Sequence, residues 1–161
     1  MSVISVDKDF DSLTLTLVAE FDVPIGRVWQ LWADPRQLER WWGPPSHPAT
    51  VVRHDLTAGG DVTYFMTGPT GERSRGWWRV TSVEPPKSLE FTDGFADEDG
   101  TPVAGMPTTT VQVQLSERGG GTRMVLRSVF DSREHMERVV DIGAPEVLRE
   151  SVGQMDALLA A

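Results

Sequence analysis

The segment FDVPIGRVWQLWADPRQLERWWGPP, residues 21–45, contains four of the six tryptophans of this chain. They are Trp29, Trp32, Trp41 and Trp42. In the first part of the segment, Ile25, Val28 and Trp32 recur at helical spacing, with Trp29 beside them. This spacing predicts a short helix that buries one strongly apolar face.

The second part of the segment begins with Asp34 and Pro35, a pair that suits the N-cap and the first position of a helix. A second short helix is therefore predicted to run through Leu38 to Trp42. The GPP at residues 43–45 must end it, since proline lacks a backbone N–H and restricts the residue before it. We expect the tryptophans to serve packing first, with lining of a pocket mouth as the alternative.

The residues upstream of this segment form a predicted strand. SLTLTLVAEFDV, residues 12–23, alternates apolar and polar side chains, a period of two that is typical of a strand with one buried face. The buried set is Leu13, Leu15, Leu17, Ala19 and Phe21. The first strand thus leads directly into the two helices.

Six further strands are predicted downstream, separated by glycine- and proline-containing turns. They are residues 49–56, 61–67, 75–84, 88–95, 108–117 and 122–130. Each is close enough along the chain to pair with the next in antiparallel fashion. The acidic run DGFADEDG, residues 93–100, is expected to be a solvated loop, because it lacks the ligand spacing of a calcium site.

The C-terminal part returns to helical spacing. Ser132 is the predicted N-cap of one helix, and Gly143 interrupts the pattern. A longer helix is predicted from Pro145 to Leu159, because proline suits only its first turn. Its apolar stripe is Leu148, Val152, Met155 and Leu159.

These elements predict an α+β protein with a single domain over residues 1–161. A curved antiparallel sheet of seven strands needs a cover on its apolar face, and the long C-terminal helix is the element available to cover it. A twisted sheet closes well around the middle of such a helix and poorly at one end. We therefore expect a cavity between the sheet, the helix and the tryptophan-rich segment.

Composition and charge limit the kinds of partner and the kinds of site that we expect for this chain. The formal net charge is −9 and the basic residues form no stripe, which argues against a nucleic-acid partner. The chain has no cysteine, so disulfides and thiolate metal sites are excluded. No apolar run of membrane-spanning length and no signal-peptide pattern occurs, so we expect a cytoplasmic protein without membrane insertion.

Several of these segments carry a family resemblance. Residues 21–45, residues 56–92, GGGTRMVLRS and the GQMDALLA ending together resemble the activator of Hsp90 ATPase homologue 1-like family, within the START-like or SRPBCC superfamily. The resemblance covers about Phe10 to Leu159 and implies the helix-grip fold around a hydrophobic cavity. It implies a function less closely, since members range from ligand carriers to cyclases and cochaperone domains.

Motifs for metal binding and nucleophilic catalysis are missing. His47, His54 and His135 lie in different predicted elements without a paired-ligand spacing, so we expect no metal and no cofactor. There is no GxSxG motif, and the glycine-rich stretch near residue 60 opens a strand rather than a helix. We therefore assign no catalytic residue.

The candidate ligand-binding residues are those expected to face the cavity. Among them His54 and Tyr64 are polar groups on apolar strands, able either to orient a ligand or to sit at the edge of the core. Trp77 and Trp78 are adjacent on one strand and must face opposite sides of the sheet. The full set is Trp32, Trp41, His54, Tyr64, Met66, Trp78, Phe91, Leu126 and Met155.

Two functions of different classes follow. The first is non-catalytic binding of a small apolar or aromatic molecule. The second is an enzyme of the cyclase or hydrolase kind that uses His54 or Tyr64 as acid or base. A pair of titratable groups converging with perturbed pKa values would favour the enzyme. A chaperone-associated protein-binding domain is a third, weaker reading, and a homodimer is compatible with all three.

Overall fold

The structure is a computed structural model that describes residues 3–160. Its strands are β1 (Val3–Asp9), β2 (Thr14–Phe21), β3 (Ala49–His54), β4 (Asp61–Thr67), β5 (Arg73–Glu84), β6 (Ser88–Ala96), β7 (Thr109–Arg118) and β8 (Gly121–Phe130). Its helices are α1 (Ile25–Ala33), α2 (Pro35–Leu38), α3 (Arg133–Asp141), α4 (Ala144–Gly153) and α5 (Met155–Ala160).

The strands form one antiparallel sheet in the order β1-β2-β8-β7-β6-β5-β4-β3. Strands β3 to β8 pair with their neighbours along the chain, whereas β2 pairs with β8, so that Phe21 lies opposite Thr122. The register shifts between Val51 and Arg53 and again between Val80 and Ser82. Such irregularities bend a strand and increase its twist, which helps the sheet to curve.

The inner face of the sheet packs against the helices. Strand β2 alternates as expected, with Leu15, Leu17, Ala19 and Phe21 buried. From the helical side, Val152 of α4 and Met155 of α5 are completely buried in the same core. Predicted burial of the C-terminal stripe is confirmed at these two positions, and Leu148 and Leu159 are half-buried against the core.

The sheet has one more strand than the seven predicted. The additional strand, β1, lies at the edge of the sheet beside β2, and Val3 is its one buried residue. An edge strand with little buried surface does not need alternating apolar side chains. Its sequence therefore lacks the pattern that revealed the other strands.

Two helices are shorter than predicted. Helix α2 ends at Leu38, and the chain then continues through turns to Trp42. The single helix predicted over residues 145–159 is instead two helices that meet at Gln154. The Gln154 side chain donates from Nε2 to the carbonyl of Gly43, 2.7 Å away, and so joins this break to the tryptophan-rich segment.

The predicted helix starts are confirmed. The Asp34 side chain accepts the N–H of Arg36, and the Ser132 side chain accepts the N–H of His135 at 3.0 Å. Pro145 lies in the first turn of α4. Among residues 3–160, no helix has both the length and the apolar character needed to cross a membrane.

Candidate ligand-binding site

A cavity of about 240 Å³ lies between the inner face of the sheet and helices α3 and α4. It is lined by Leu15, Trp42, Gly43, Pro44, Met66, Asp93, Thr109, Val111, Leu126, Ser128, Phe130, Val139, Ala144, Val147, Leu148 and Ser151. Val147 is partly exposed, so the cavity reaches the surface along α4. Most of the lining is aliphatic or aromatic, which makes desolvation the main source of affinity.

The volume limits the size of an occupant. A cavity of roughly 150 Å³ accommodates benzene, and typical drug-sized pockets are roughly 300–1,000 Å³. The present cavity therefore suits a molecule of one or two rings, or an aliphatic chain of similar volume. A long lipid with two chains does not fit within it.

Asp93 is the one ionisable residue that lines the cavity in the described part of the chain. It lies on β6, where Leu89 and Phe91 are buried on the same face at alternate positions. The strand continues through Ala96, so Asp93 belongs to the sheet, as the strand predicted over residues 88–95 has it, and the acidic loop is shorter than the predicted run of residues 93–100. The loop begins only at Asp97, where the side chains are exposed.

Asp93 forms a hydrogen bond with Tyr64 of β4. The Tyr64 hydroxyl donates to Oδ1 of Asp93 at 3.0 Å, across the intervening strand β5. Gly76 of β5 lies beneath the Tyr64 ring, and a Cβ atom there would overlap the hydroxyl. The lack of a side chain at Gly76 thus allows the tyrosine to reach the carboxyl group.

The environment raises the pKa values of both Asp93 and Tyr64. Burial raises the pKa of Asp93 to about 7, and the hydrogen bond from Tyr64 partly opposes this effect. Burial, together with the negative charge of Asp93, raises the pKa of Tyr64 well above its usual range. Tyr64 is therefore a neutral hydrogen-bond donor at physiological pH, whereas Asp93 changes its protonation state near neutral pH.

The aromatic residues form a cluster beside this pair. Trp78 stacks on Phe91 with ring centroids 3.8 Å apart, and Trp42 meets Trp78 edge-on at 4.9 Å. Trp42 also meets the Tyr64 ring edge-on at 6.0 Å. Because Trp42 lines the cavity and Trp78 lies behind it, the tryptophans both complete the core and provide one wall of the site.

The predicted ligand-binding residues fall into three groups. Met66 and Leu126 line the cavity, and Tyr64 reaches it through Asp93. Five others are completely buried in the core behind the cavity wall: Trp32, Trp41, Trp78, Phe91 and Met155. His54 lies apart from the cavity, with Nε2 3.0 Å from the carbonyl oxygen of Trp32.

The adjacent tryptophans of β5 face opposite sides, as predicted. Trp78 is fully buried, while Trp77 lies on the outer face across Gly94 and donates its N–H to the carbonyl of Phe95 at 2.9 Å. Trp77 therefore has no part in the cavity.

Sequence reasoning missed Asp93 and the contribution of helix α3, whereas the contribution of the C-terminal helix around Leu148 was expected. The signal for Asp93 was present, since residues 89, 91 and 93 alternate on one face of a strand. The three histidines remain separate, and His135 contacts Asp131 at 3.2 Å. Among residues 3–160 no group of three potential ligands is arranged to hold a metal ion.

The chain has the helix-grip fold, in which a curved antiparallel sheet surrounds C-terminal helices. The family model described as Activator of Hsp90 ATPase homolog 1-like protein matches residues 22–160, so the chain belongs to this family. The match covers the cavity lining from Trp42 to Ser151.

Solved structures support this assignment. The protein Ms6760 from Mycobacterium smegmatis is 52% identical with a TM-score of 0.89, and the alignment covers 98% of this chain and 96% of that one. A protein from Arthrobacter aurescens is 50% identical with a TM-score of 0.94, covering 99% and 92%. The AHSA1 protein from Silicibacter pomeroyi is 28% identical with a TM-score of 0.70, covering 91% and 97%. No curated protein matches the sequence.

Proposed function

We propose that this protein binds a small apolar or aromatic molecule in the cavity between the sheet and the C-terminal helices, without transforming it. One observation carries the proposal: an apolar cavity of about 240 Å³ in which Asp93 is the single ionisable side chain among the described lining residues. Such a site holds its occupant by desolvation and orients it by one polar contact.

The expected affinity follows from the buried surface. Burial of about 300 Å² of apolar ligand surface at about 25 cal/mol per Å² gives roughly 7 kcal/mol before association costs. Those costs reduce the net value, so we expect dissociation constants near micromolar or weaker. This range suits a carrier or sensor that releases its ligand.

Native mass spectrometry of the purified protein, followed by a thermal-shift screen of one- and two-ring compounds, tests this function. A ligand that binds only the folded state stabilises it by about 2.7 kcal/mol at a hundredfold excess over its dissociation constant. Leu126→Trp, which fills the cavity, should abolish the shift, whereas Val52→Trp at an exposed position should not. A broad screen without any binder would refute the proposal.

An acid–base enzyme is the second candidate, and the Tyr64–Asp93 pair favours it. Two titratable groups with raised pKa values meet at the cavity, which is the feature expected of an active site. His54 is a weaker candidate because its Nε2 lies against a backbone carbonyl. Consumption of a bound compound by wild type, but not by a folded Asp93→Asn variant that still binds it, would establish the enzyme.

We further propose that the protein acts in the cytoplasm as a single domain, as a monomer or a homodimer. Light scattering at several concentrations measures the oligomeric state. A shift in that state upon ligand binding would link assembly to occupancy of the cavity.

A further inference from the structure

The described lining of the cavity contains an acidic side chain and no basic side chain. Among its described lining residues Asp93 is ionisable and none is lysine, arginine or histidine. A ligand carboxylate would therefore lose its hydration without meeting a countercharge, and it would approach an acidic side chain. The whole chain carries a formal net charge of −9, which attracts cations and repels anions at longer range.

The hydrogen-bonding capacity of Asp93 is largely unused. A carboxylate offers about four acceptor sites. Within residues 3–160 the side chain receives one hydrogen bond, from Tyr64 to Oδ1. When Asp93 is ionised, a ligand group at Oδ2 must therefore be a donor, and an ammonium group has three donors and no acceptor.

The other polar groups of the lining are neutral, namely the hydroxyls of Thr109, Ser128 and Ser151 and the indole N–H of Trp42. The Ser151 hydroxyl, also in the lining, donates to the carbonyl of Val147 at 2.9 Å within its own helix. Trp42 lines the cavity beside Tyr64, and its buried indole N–H has no hydrogen-bond partner within residues 3–160. Among the described lining residues, the site thus combines one carboxyl group, a few neutral polar groups and an otherwise apolar lining.

We propose that the cavity selects apolar molecules that carry one protonated amine, with the ammonium group at Asp93 and the apolar body against α3 and α4. This inference rests on the proposed binding function and specifies its ligand class. It distinguishes amines from neutral alcohols and from carboxylates of the same shape.

The affinity for an amine at Asp93 should also depend on pH. The titratable group that faces Asp93 is Tyr64 from β4, while α3, α4, β7 and β8 contribute no ionisable side chain to the lining. Burial raises the pKa of Asp93 to about 7, so protons compete with the amine below neutrality. An alkyl amine, with an ordinary pKa of about 10, stays protonated throughout the relevant range.

The test uses three probes with one ring system: 2-naphthylmethylamine, 2-naphthylmethanol and 2-naphthoate. Isothermal titration calorimetry of wild type at pH 8 should show the amine binding about tenfold or more tightly than the alcohol, with the naphthoate weakest. Between pH 8 and pH 6 the amine should lose about tenfold in affinity, while the alcohol changes little.

Asp93→Asn should remove the preference for the amine and leave alcohol binding within about threefold of wild type. Asp22→Asn is the matched control, because it removes the same charge at an exposed position that does not line the cavity. Asp22 follows the last residue of β2, whereas the cavity residue Leu15 lies near the first residue of that strand. It should retain both the preference and the pH dependence. Circular dichroism confirms that each variant is folded.

The outcomes separate the two proposals. Equal binding of amine and alcohol by wild type overturns the amine inference and leaves the ligand-binding function standing. Tighter binding of the naphthoate overturns it as well. If none of the three probes binds wild type, both proposals fail for ligands of this class. Since the probe comparison and the pH series use wild type, they decide the question even if Asp93→Asn does not fold.

Discussion

The indole ring of Trp41 packs edge-on against that of Trp32, with ring centroids 4.6 Å apart, and both side chains are completely buried. The two indoles differ in one respect. The Trp41 N–H donates to the carbonyl of Leu31 at 2.8 Å, whereas the Trp32 N–H has no hydrogen-bond partner in the described structure. Trp41 therefore ties the chain after α2 back to α1.

This difference predicts unequal effects of the same substitution. Trp41→Phe should lower the free energy of unfolding by about 1–3 kcal/mol more than Trp32→Phe, because it leaves a buried carbonyl without its donor. Both variants lose similar packing, so the second is a control for the first. Urea denaturation measures the two values, and equal destabilisation would contradict the prediction.

The raised pKa of Asp93 predicts a specific pH dependence of stability. A folded-state pKa of about 7, above the usual value of 3.8, means that the folded protein holds this proton more tightly than the unfolded chain. The contribution of Asp93 to stability is therefore full below about pH 4 and is lost as the pH rises to 7. Asp93→Asn has no such loss.

The measurable quantity is the difference in free energy of unfolding between Asp93→Asn and wild type. It should move in favour of the variant by about 1–3 kcal/mol from pH 5 to pH 8, a range discounted for solvent in the cavity. Tyr64→Phe, which keeps Asp93, should still lose stability over this interval. A pH-independent difference for Asp93→Asn would contradict the burial effect.

Two glycines provide a matched test of space. Gly76→Ala should displace the Tyr64 ring, break its hydrogen bond to Asp93 and lower stability by about 1–3 kcal/mol. Gly26→Ala, in α1 with open space around it, should raise stability by about 0.5–1 kcal/mol. Thermal unfolding compares them, and a neutral Gly76→Ala would show that Tyr64 is free to move.

Helix α4 provides a test of the core. Val152→Asp should prevent stable folding, because an unpaired charge would replace a fully buried side chain. Val147→Asp on the same helix is the control, since its position is partly exposed, and it should fold. Circular dichroism and thermal melting distinguish the two, and wild-type-like unfolding of Val152→Asp would refute the burial of that face.

The fold was predictable wherever one face of an element is buried. Strand β2, helix α1 and the stripe around Val152 all follow this rule. Strand β1 did not reveal itself, because its pairing with β2 rests on backbone hydrogen bonds and leaves most of its side chains partly or fully exposed. At the break between α4 and α5, Gln154 contacts Gly43, which is distant in sequence.

The candidate site was predictable only in part. The apolar lining at Met66 and Leu126 follows from strand alternation, which places both on the inner face. Asp93 follows the same alternation within the predicted strand over residues 88–95, but it is also the first residue of the acidic run predicted to be a solvated loop. The partnership with Tyr64 joins strands that are separated by β5, and single-strand periodicity contains no information about such a contact.

The pairing of β2 with β8 has a consequence for the order of folding. Strands β3 to β8 can form as successive local hairpins, but β2 must wait until β8 has left the ribosome. Arg27 of α1 donates from its guanidinium to the carbonyl of Leu158 at 2.8 Å. This contact can form only when almost the whole chain has been synthesised. During synthesis β2 and helix α1 therefore keep part of their apolar surface uncovered until almost the whole chain has emerged, so they are the stretch that we expect chaperones to hold.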